Sequence, residues 1–309
     1  MGSLIAILLL AAAPAAAQSV VTLAGHSAAV QGVAFSPDGK YLASGGLDSN
    51  VALWTVKTGK LKKLLVGHKD QVWGLDFSPD GDYLASVDGK TVETWTVPGG
   101  KNFKSLMGQS HSLYSVRYSP GGEYLLAGGY GTVGIWLFPE GDVHKAMKAQ
   151  VESANSLRVL PNGNYVASGN GNGTVTVWNM NDGKITKTIS AHKEGVRSLA
   201  LTPDGNYAVS AGLDGAVKVW RLNDGTLVNS FAAHPGGARA VAVSPDGKKI
   251  ASGGADNSVK VWALQGAQKA PLKQFLGHED SVEAVAFSPD GKTIASGSKD
   301  KTVKLWKLK

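Results

Sequence analysis

The sequence predicts an all-β protein built from seven copies of one unit of four antiparallel strands. The first observation behind this prediction is a repeat, because seven tryptophans recur at spacings of 41, 41, 42, 42, 42 and 44 residues. A regular period of this length is typical of an array of identical supersecondary units. The second observation is that each period holds short alternating segments and polar turns, which leaves no room for a long helix. The seven tryptophans are Trp54, Trp95, Trp136, Trp178, Trp220, Trp262 and Trp306.

The last copy shows the strands of one unit most clearly. Residues 282–288 (VEAVAFS) alternate and predict a strand, which we call the inner strand of the unit. Residues 288–291 (SPDG) predict a type I turn, because proline presets φ at the second position and glycine accepts a positive φ at the end. Thr293 to Gly297 and Thr302 to Leu308 predict the second and third strands. Earlier copies continue through a polar turn into a fourth, outer strand, for example Lys184 to Ser190.

The way in which the units pack follows from their composition. A four-stranded unit with few apolar residues cannot bury both faces alone, so seven units are expected to pack face to face around an axis. The motifs Gly-His, Ser-Pro-Asp-Gly, Ala-Ser-Gly, Asp and Val-Lys-Leu-Trp recur in register, and they resemble the WD-repeat β-propeller family. The resemblance covers nearly all of residues 18–309 and implies a single domain, a seven-bladed β-propeller of four-stranded antiparallel blades. The residue after each marker tryptophan is never Asp, but this position varies in the family.

The two ends of the chain predict how the ring of blades closes. Ser19 to Leu23 reads as a strand that belongs to no unit, and the last unit has no fourth strand after Trp306. In related propellers the N-terminal strand completes the last blade and closes the ring. Such pairing covers two sheet edges that would otherwise invite aggregation.

Residues 1–17 predict a signal peptide. Leu4 to Ala13 is an apolar run of ten residues, and Ala15-Ala16-Ala17 forms an A-x-A site with cleavage before Gln18. The alternative is an uncleaved N-terminal anchor, since no Lys or Arg precedes the apolar run. The compact, alanine-rich signal indicates a secreted bacterial protein, with the periplasm as the expected location and no membrane span after cleavage.

Composition narrows the function classes. The formal charge of +7 comes from 26 Lys and only five Arg, which predicts a soluble protein whose surface favours acidic partners. No basic run is interleaved with aromatic residues, so nucleic acid is not an expected partner. The chain has no Cys, which removes thiol catalysis, Cys-ligated metals and c-type haem attachment. We predict no cofactor and no metal, and we interpret His111 and His144 as surface histidines, with a metal pair as the alternative.

Four sets of His, Ser, Asp and Trp recur at one spacing. The combination of His, Ser and Asp suggests hydrolysis, but four equivalent sets, each tied to a marker tryptophan, indicate a structural role. The family resemblance implies a hydrogen-bond chain from the indole N–H through Ser and His to Asp. We call these sets the tetrads: His26, Ser44, Asp48 and Trp54; His192, Ser210, Asp214 and Trp220; His234, Ser252, Asp256 and Trp262; His278, Ser296, Asp300 and Trp306.

The other three units carry altered sets. The second unit keeps His, Ser and Trp, but its turn is one residue shorter, so we expect Asp88 to fit imperfectly. The fourth unit has a neutral version, and the third lacks both the serine and an acid. Their members are His68, Ser86 and Trp95; Gln150, Ser168, Asn172 and Trp178; Gln109, Ala127 and Trp136.

A partner-binding surface is predicted at the upper rim, where the inner strands begin. In the family that the sequence resembles, this face commonly binds other proteins. The second residue of each inner strand lies near the upper mouth of the channel, and we call these seven residues the upper ring: Gln31, Trp73, Tyr114, Asn155, Arg197, Arg239 and Glu283. The residues before the turn aspartate, or its counterpart, add Leu47, Val87, Tyr130, Gly171, Leu213, Ala255 and Lys299.

Seven of these residues are the predicted contacts. Trp73 is the only tryptophan outside the repeat marker, and aromatic residues with Arg are enriched at binding hot spots. The alternative is that Trp73 and Tyr114 simply pack where units meet. The predicted contacts are Leu47, Trp73, Tyr114, Tyr130, Arg197, Arg239 and Lys299.

The sequence therefore predicts a non-enzymatic scaffold that binds a protein or peptide on its upper face and is a monomer by itself. The alternative is an accessory subunit or enzyme of a periplasmic redox or hydrolytic system. Related bacterial propellers can be joined to c-type cytochromes, but this sequence has no C-x-x-C-H motif.

Overall fold

A computed structural model describes residues 20–106, 112–266, 268 and 270–308, with only the main chain described at 148–152. The signal-peptide prediction, His111 and Gln109 lie outside the described residues, as does the side chain of Gln150. None of the described residues lies in a helix, so none belongs to an apolar helix that could cross a membrane.

The described chain forms 26 strands. The first strand and units one to three comprise β1 (Val20–Ala24), β2 (Val30–Phe35), β3 (Tyr41–Gly46), β4 (Asn50–Thr55), β5 (Lys60–Val66), β6 (Gly74–Phe77), β7 (Tyr83–Val87), β8 (Val92–Thr96), β9 (Asn102–Leu106), β10 (Leu113–Tyr118), β11 (Tyr124–Leu137) and the first part of β12 (Val143–Val159). Units four to seven continue with β13 (Tyr165–Asn170), β14 (Thr174–Asn179), β15 (Ile185–Ser190), β16 (Val196–Leu201), β17 (Tyr207–Gly212), β18 (Ala216–Arg221), β19 (Leu227–Ala232), β20 (Ala238–Val243), β21 (Lys249–Gly254), β22 (Val259–Ala263), β23 (Lys273–Phe275), β24 (Val282–Phe287), β25 (Thr293–Ser298) and β26 (Thr302–Lys307).

Each unit is an antiparallel meander, as predicted. Units one, two, five and six form four-stranded sheets in sequence order, and unit seven does so with β1 at its edge. Units three and four share one six-stranded sheet, β10 to β15, which the repeat alone does not predict.

The shared sheet arises from two long strands. The main-chain N–H of Phe138 donates to the carbonyl of Glu123 at 2.9 Å, although 14 extended residues would span roughly 45 Å. Strand β11 therefore folds back on itself, and Gly131 has the positive φ of 73° that such a reversal needs. Strand β12 runs without a break from unit three into unit four, and Tyr130 pairs with Ser153 across the junction. Both units keep four antiparallel segments.

The lower turns have the predicted geometry. In the first unit, the N–H of Gly39 donates to the carbonyl of Ser36 at 2.9 Å, and the φ of Gly39 is 69°. The carboxylate of Asp38 accepts hydrogen bonds from the Ser36 hydroxyl at 2.7 Å and the Lys40 N–H at 3.0 Å. These donors, Ser36 first, lower the pKa of Asp38 to about 2. The turn thus sets the direction in which each second strand leaves.

Strand β1 pairs with the third strand of unit seven. The register runs from Val20 opposite Trp306 to Ala24 opposite Thr302. Leu23 is only 2% exposed and belongs to an apolar cluster that contains Val303 of unit seven and Trp54 of unit one. Unit seven therefore packs against unit one, and the N-terminal strand contributes to the packing.

Polar contacts also join neighbouring units. Lys187 on an outer strand donates from Nζ to the carbonyl of Asn223 in the lower turn of the next unit at 2.8 Å. Lys63 and Lys145 do the same to Gly99 and Asn181, at 2.8 and 2.6 Å. Part of the lysine-rich composition therefore serves contacts between units rather than solubility alone.

Candidate functional site

The inner strands carry an irregularity that decides which residues meet at the axis. In units one and three to seven, the register shifts between the first and third residues of the inner strand, as at Val196 and Ser198. Such a β-bulge inserts an extra residue and re-aims the side chains that follow. The second residues of the inner strands line one cavity and the fifth residues line another, and Arg117 and Arg158 line both.

The upper ring surrounds a cavity of about 110 Å³. All seven predicted residues line it, so residues from all seven units meet there. The cavity would hold roughly four water molecules at about 30 Å³ each, which suits a side chain or a small ion.

Aromatic and cationic groups contact each other at this mouth. The rings of Trp73 and Tyr114 meet edge to face with their centroids 6.0 Å apart. The guanidinium carbon of Arg197 lies 5.9 Å from the Trp73 ring centroid, and its NH2 lies 3.5 Å from Oε1 of Gln31. Arg197 belongs to unit five and Trp73 to unit two, so the side chain of Arg197 reaches across the mouth of the cavity. A cation over an indole face is electrostatically favourable.

Two charged residues of the upper ring have unfilled hydrogen-bonding capacity. Nε of Arg239 is buried and has no hydrogen-bond partner among the described residues. Glu283 is buried, and its Oε1 lies 3.6 Å from Nζ of Lys299 in a long ion pair. Lys299 therefore reaches the cavity through Glu283 rather than by lining it.

Leu47 and Tyr130 lie on the same rim but outside the cavity. Their main-chain N–H groups donate to Ala29 at 2.8 Å and to Ser112 at 2.9 Å. Tyr130 is 54% exposed, while Leu47 is half-buried. The structure thus separates the predicted contacts into a group inside the cavity and a group around it.

A second ring of residues lies below the first, and the sequence-based reasoning missed it. The fifth residues of the inner strands line the cavity beneath, whose volume is about 520 Å³. Simple strand alternation places the second and fifth residues on opposite faces, but in units one and three to seven the bulge brings both to the channel. The small third residue of each inner strand was the available signal. We call this set the lower ring: Ala34, Asp76, Arg117, Arg158, Ala200, Ala242 and Ala286.

The charged members of the lower ring are strongly desolvated. Burial raises the pKa of Asp76, although Arg117 and a hydrogen bond from the Tyr118 N–H at 2.9 Å favour its charged form. Burial also lowers the pKa of Arg117. The pKa of Arg158 is lowered well below its usual value, first by burial and then by repulsion from Arg117. Arg158 donates from NH1 to the carbonyl of Leu157 at 2.7 Å.

The four tetrads form continuous hydrogen-bond chains. Nε1 of Trp220 donates to Oγ of Ser210 at 2.9 Å, that hydroxyl lies 2.8 Å from Nε2 of His192, and Nδ1 of His192 lies 2.8 Å from Oδ1 of Asp214. The other three tetrads have the same contacts at 2.6–3.1 Å. Each tetrad serine is fully buried, so its hydroxyl is not accessible to a substrate.

Among the remaining units, unit two also forms a complete chain, because Ser86 contacts Trp95 at 2.8 Å and His68 at 2.6 Å. Asp88 lies 3.0 Å from Nδ1 of His68, so the shorter turn does not spoil the fit that we expected to be imperfect. The N–H groups of Lys90 and Thr91 donate to Asp88 at 2.8 and 2.6 Å and hold its carboxylate in place. In unit four, Trp178 donates to Ser168 at 3.0 Å.

Unit three leaves its tryptophan without an acceptor. Nε1 of Trp136 is buried and has no hydrogen-bond partner among the described residues, because Ala127 stands where the other units have serine. His144, in the same unit, is exposed and packs against the Tyr124 ring with the centroids 5.1 Å apart. Among the described residues, no group of three or more His, Asp or Glu side chains could hold a metal ion.

Comparison with known proteins identifies the repeat. Seven segments match the profile of the family described as WD domain, G-beta repeat: residues 17–55, 59–96, 100–136, 144–179, 183–221, 225–263 and 269–307. The chain belongs to the WD-repeat family. Repeats of this family typically mediate protein–protein interactions, and the proteins that contain them are generally non-enzymatic scaffolds.

A curated relative matches over one short stretch of this WD-repeat protein. The protein named Protein Mut11, from Chlamydomonas reinhardtii, is 60% identical over 37 residues. The match covers 12% of this chain and 10% of the relative. The similarity is therefore that of about one repeat to another.

Proposed function

We propose that this WD-repeat protein is a non-enzymatic scaffold that binds an acidic protein segment or peptide on its upper face. The observation that carries the proposal is the convergence of the upper ring on one cavity, with Trp73, Tyr114 and Arg197 in contact at its mouth. Aromatic and Arg side chains at the centre of a surface are the residue types enriched at binding hot spots. Tyr130 and Leu47 add apolar area around this centre.

The recognition chemistry follows from the two groups of residues. An apolar side chain of the partner would pack on Trp73, Tyr114 and the exposed Tyr130. An acidic side chain of the partner would reach Arg239, whose Nε has no partner among the described residues. Charge-assisted hydrogen bonds to Arg are short and directional, so they would set the register of the bound segment.

The proposal is tested with upper-face and lower-face variants. Crosslinking and capture supply a partner, and titration calorimetry then measures its affinity for the purified chain. Trp73→Ala and Arg239→Ala should each weaken binding by about 2 kcal/mol or more if they are hot spots. The controls Lys40→Ala and Lys248→Ala, on the lower turns, should leave the affinity nearly unchanged. Loss of binding only in the lower-face controls would contradict the proposal, and so would unfolding of Trp73→Ala.

We also propose that the seven units form a closed ring and that the chain is exported to the periplasm as a monomer. Support for the ring is the pairing of β1 with β26 and the contribution of all seven units to one cavity. Support for export is the apolar run and A-x-A site in residues 1–17. N-terminal sequencing of the protein recovered from a bacterial periplasm tests export, and sedimentation of the same protein tests whether it is a monomer. An intact N-terminus on a cytoplasmic chain would contradict export.

A further inference from the structure

The arginines of this chain are distributed differently from its lysines. The chain has 26 lysines and only five arginines, yet four of the five arginines line the upper cavity. They are Arg117, Arg158, Arg197 and Arg239, from units three to six. The fifth, Arg221, is exposed and pairs with Asp224 at 3.1 Å. Arginine is the side chain suited to binding carboxylates and phosphates through two parallel hydrogen bonds.

The protein neutralises the four channel arginines only in part. Among the described residues, no carboxylate lies within 4.0 Å of any of them. The two carboxylates of the same walls are Asp76 and Glu283, and Glu283 is shared with Lys299. The four arginines therefore outnumber the two carboxylates of these walls by two, before Lys299 is counted.

Uncompensated charge in a confined space is unfavourable. Burial lowers the pKa of Arg117, Arg158 and Arg197, and like-charge repulsion lowers it further at Arg158 and Arg197. Arg117 and Arg158 donate to main-chain carbonyls, and Asp76 and Glu283 offset part of the charge. A buried cation without a close anionic partner still keeps much of its desolvation cost. An anion between the two rings would relieve this cost and supply an acceptor for the buried Nε of Arg239.

We propose that the channel between the upper and lower rings binds an oxyanion that carries two negative charges, either phosphate or a dicarboxylate. Arg197 and Arg239 contact it from the upper ring, and Arg117 and Arg158 form the floor, since these two line both cavities. The volume of about 110 Å³ admits a group of this size. The inference goes beyond the scaffold function, because a free anion needs no protein partner to occupy the site.

Calorimetry at constant ionic strength, balanced with chloride, tests this site directly. The probes are inorganic phosphate, succinate and a capped heptapeptide with two adjacent Glu residues, beside its Gln counterpart. Arg239→Gln and Arg158→Gln should weaken binding at least tenfold, a factor that corresponds to about 1.4 kcal/mol. The matched control Arg221→Gln, at the surface arginine, should change affinity by less than twofold.

The outcomes separate the sources of the anion. Binding of phosphate or succinate with this dependence on the arginines identifies a free anion. Binding of the Glu peptide alone, with the same dependence, identifies an acidic side chain as the source of the oxyanion. The proposal would be overturned if no probe bound, or if Arg221→Gln weakened binding as much as Arg239→Gln and Arg158→Gln do. Neither result would bear on the scaffold function, which depends on apolar contacts of a partner with Trp73.

A melting experiment gives a second, independent readout. Arg158→Met removes a buried cation that has no ion pair and keeps much of its volume, so in chloride this variant should melt no lower than the parent. Phosphate should raise the melting temperature of the parent and of Arg221→Gln, but not that of Arg158→Met. A variant that melts lower than the parent in chloride would show that Arg158 has a structural role, and would count against the site.

Discussion

Trp220 donates a hydrogen bond from its indole Nε1 to Oγ of Ser210 at 2.9 Å. That hydroxyl also contacts His192 at 2.8 Å, so one small side chain links a blade's largest ring to its histidine. Trp136, in the third blade, has Ala127 in place of the serine and loses its acceptor. The same fold thus contains complete and interrupted versions of one polar network, and their comparison yields measurable expectations.

The complete network should behave as a coupled unit. We expect His192→Ala and Asp214→Asn each to lower the free energy of unfolding by roughly 1–3 kcal/mol, because a buried partner loses its hydrogen bond. Since both residues belong to one chain of hydrogen bonds, the double variant should lose less than the sum of the two single losses. Urea denaturation of the four proteins measures the coupling. Additive losses would contradict the network.

The interrupted network should be repairable. Ala127→Ser places a hydroxyl at the position where the other six units have a serine that accepts from the marker tryptophan, and it gives Nε1 of Trp136 an acceptor. We expect the free energy of unfolding to rise by about 0.5–1.5 kcal/mol. The matched control is Ala85→Ser in the neighbouring blade, a buried alanine of the apolar cluster, which should lower stability because it buries a hydroxyl. Equal effects of the two substitutions in denaturation would refute this account of Trp136.

The tetrads also imply a dependence of stability on pH. Burial lowers the pKa of His192, His234 and His278 below the usual 6.5 by more than their aspartates raise it. Near and below pH 6.5 the unfolded chain therefore binds more protons than the folded chain, and the free energy of unfolding should fall as the pH drops below about 6.5. Burial raises the pKa of Asp300, but hydrogen bonds from Thr302 and His278 outweigh it and lower the pKa to about 2. Its contribution is therefore present above the usual 3.8 and lost as the pH falls towards 2.

Denaturation midpoints at pH 7, 6 and 5 measure the histidine contribution. His144→Gln is the control, because His144 is exposed and the substitution should leave the pH dependence unchanged. A midpoint that stays constant from pH 7 to pH 5 would contradict the lowered pKa of His192, His234 and His278.

The pairing of β1 with the last blade gives a packing prediction. Leu23→Ala should destabilise by about 2–5 kcal/mol, because Leu23 is buried between the last and first blades. Val21→Ala, two residues earlier on the same strand, is the matched control, since Val21 is 44% exposed. Melting curves of both variants decide the matter. Similar losses would mean that β1 packs without a buried face.

The sequence alone was sufficient for the family, the four strands of each unit, the turns and the residues of the tetrads. These features are local or periodic: Ser36 to Gly39 sets its own turn, and the fixed spacing from His192 to Trp220 makes the hydrogen-bond chain recognisable. The residues of the upper ring could also be predicted, because each occupies the same position at the start of an inner strand. Periodicity carries this information without knowledge of any contact between units.

Only the tertiary structure shows which residues form the lower ring and which side chains meet across the channel. Arg117 and Arg158 reach the channel because a bulge in their own inner strands overrides the alternation of side chains. The pattern of apolar residues does not encode that bulge. The distance between Arg197 and Trp73 likewise depends on how closely the seven units approach one another. That separation is set by packing between units that are far apart in the chain, whereas the sequence pattern reports on each unit by itself.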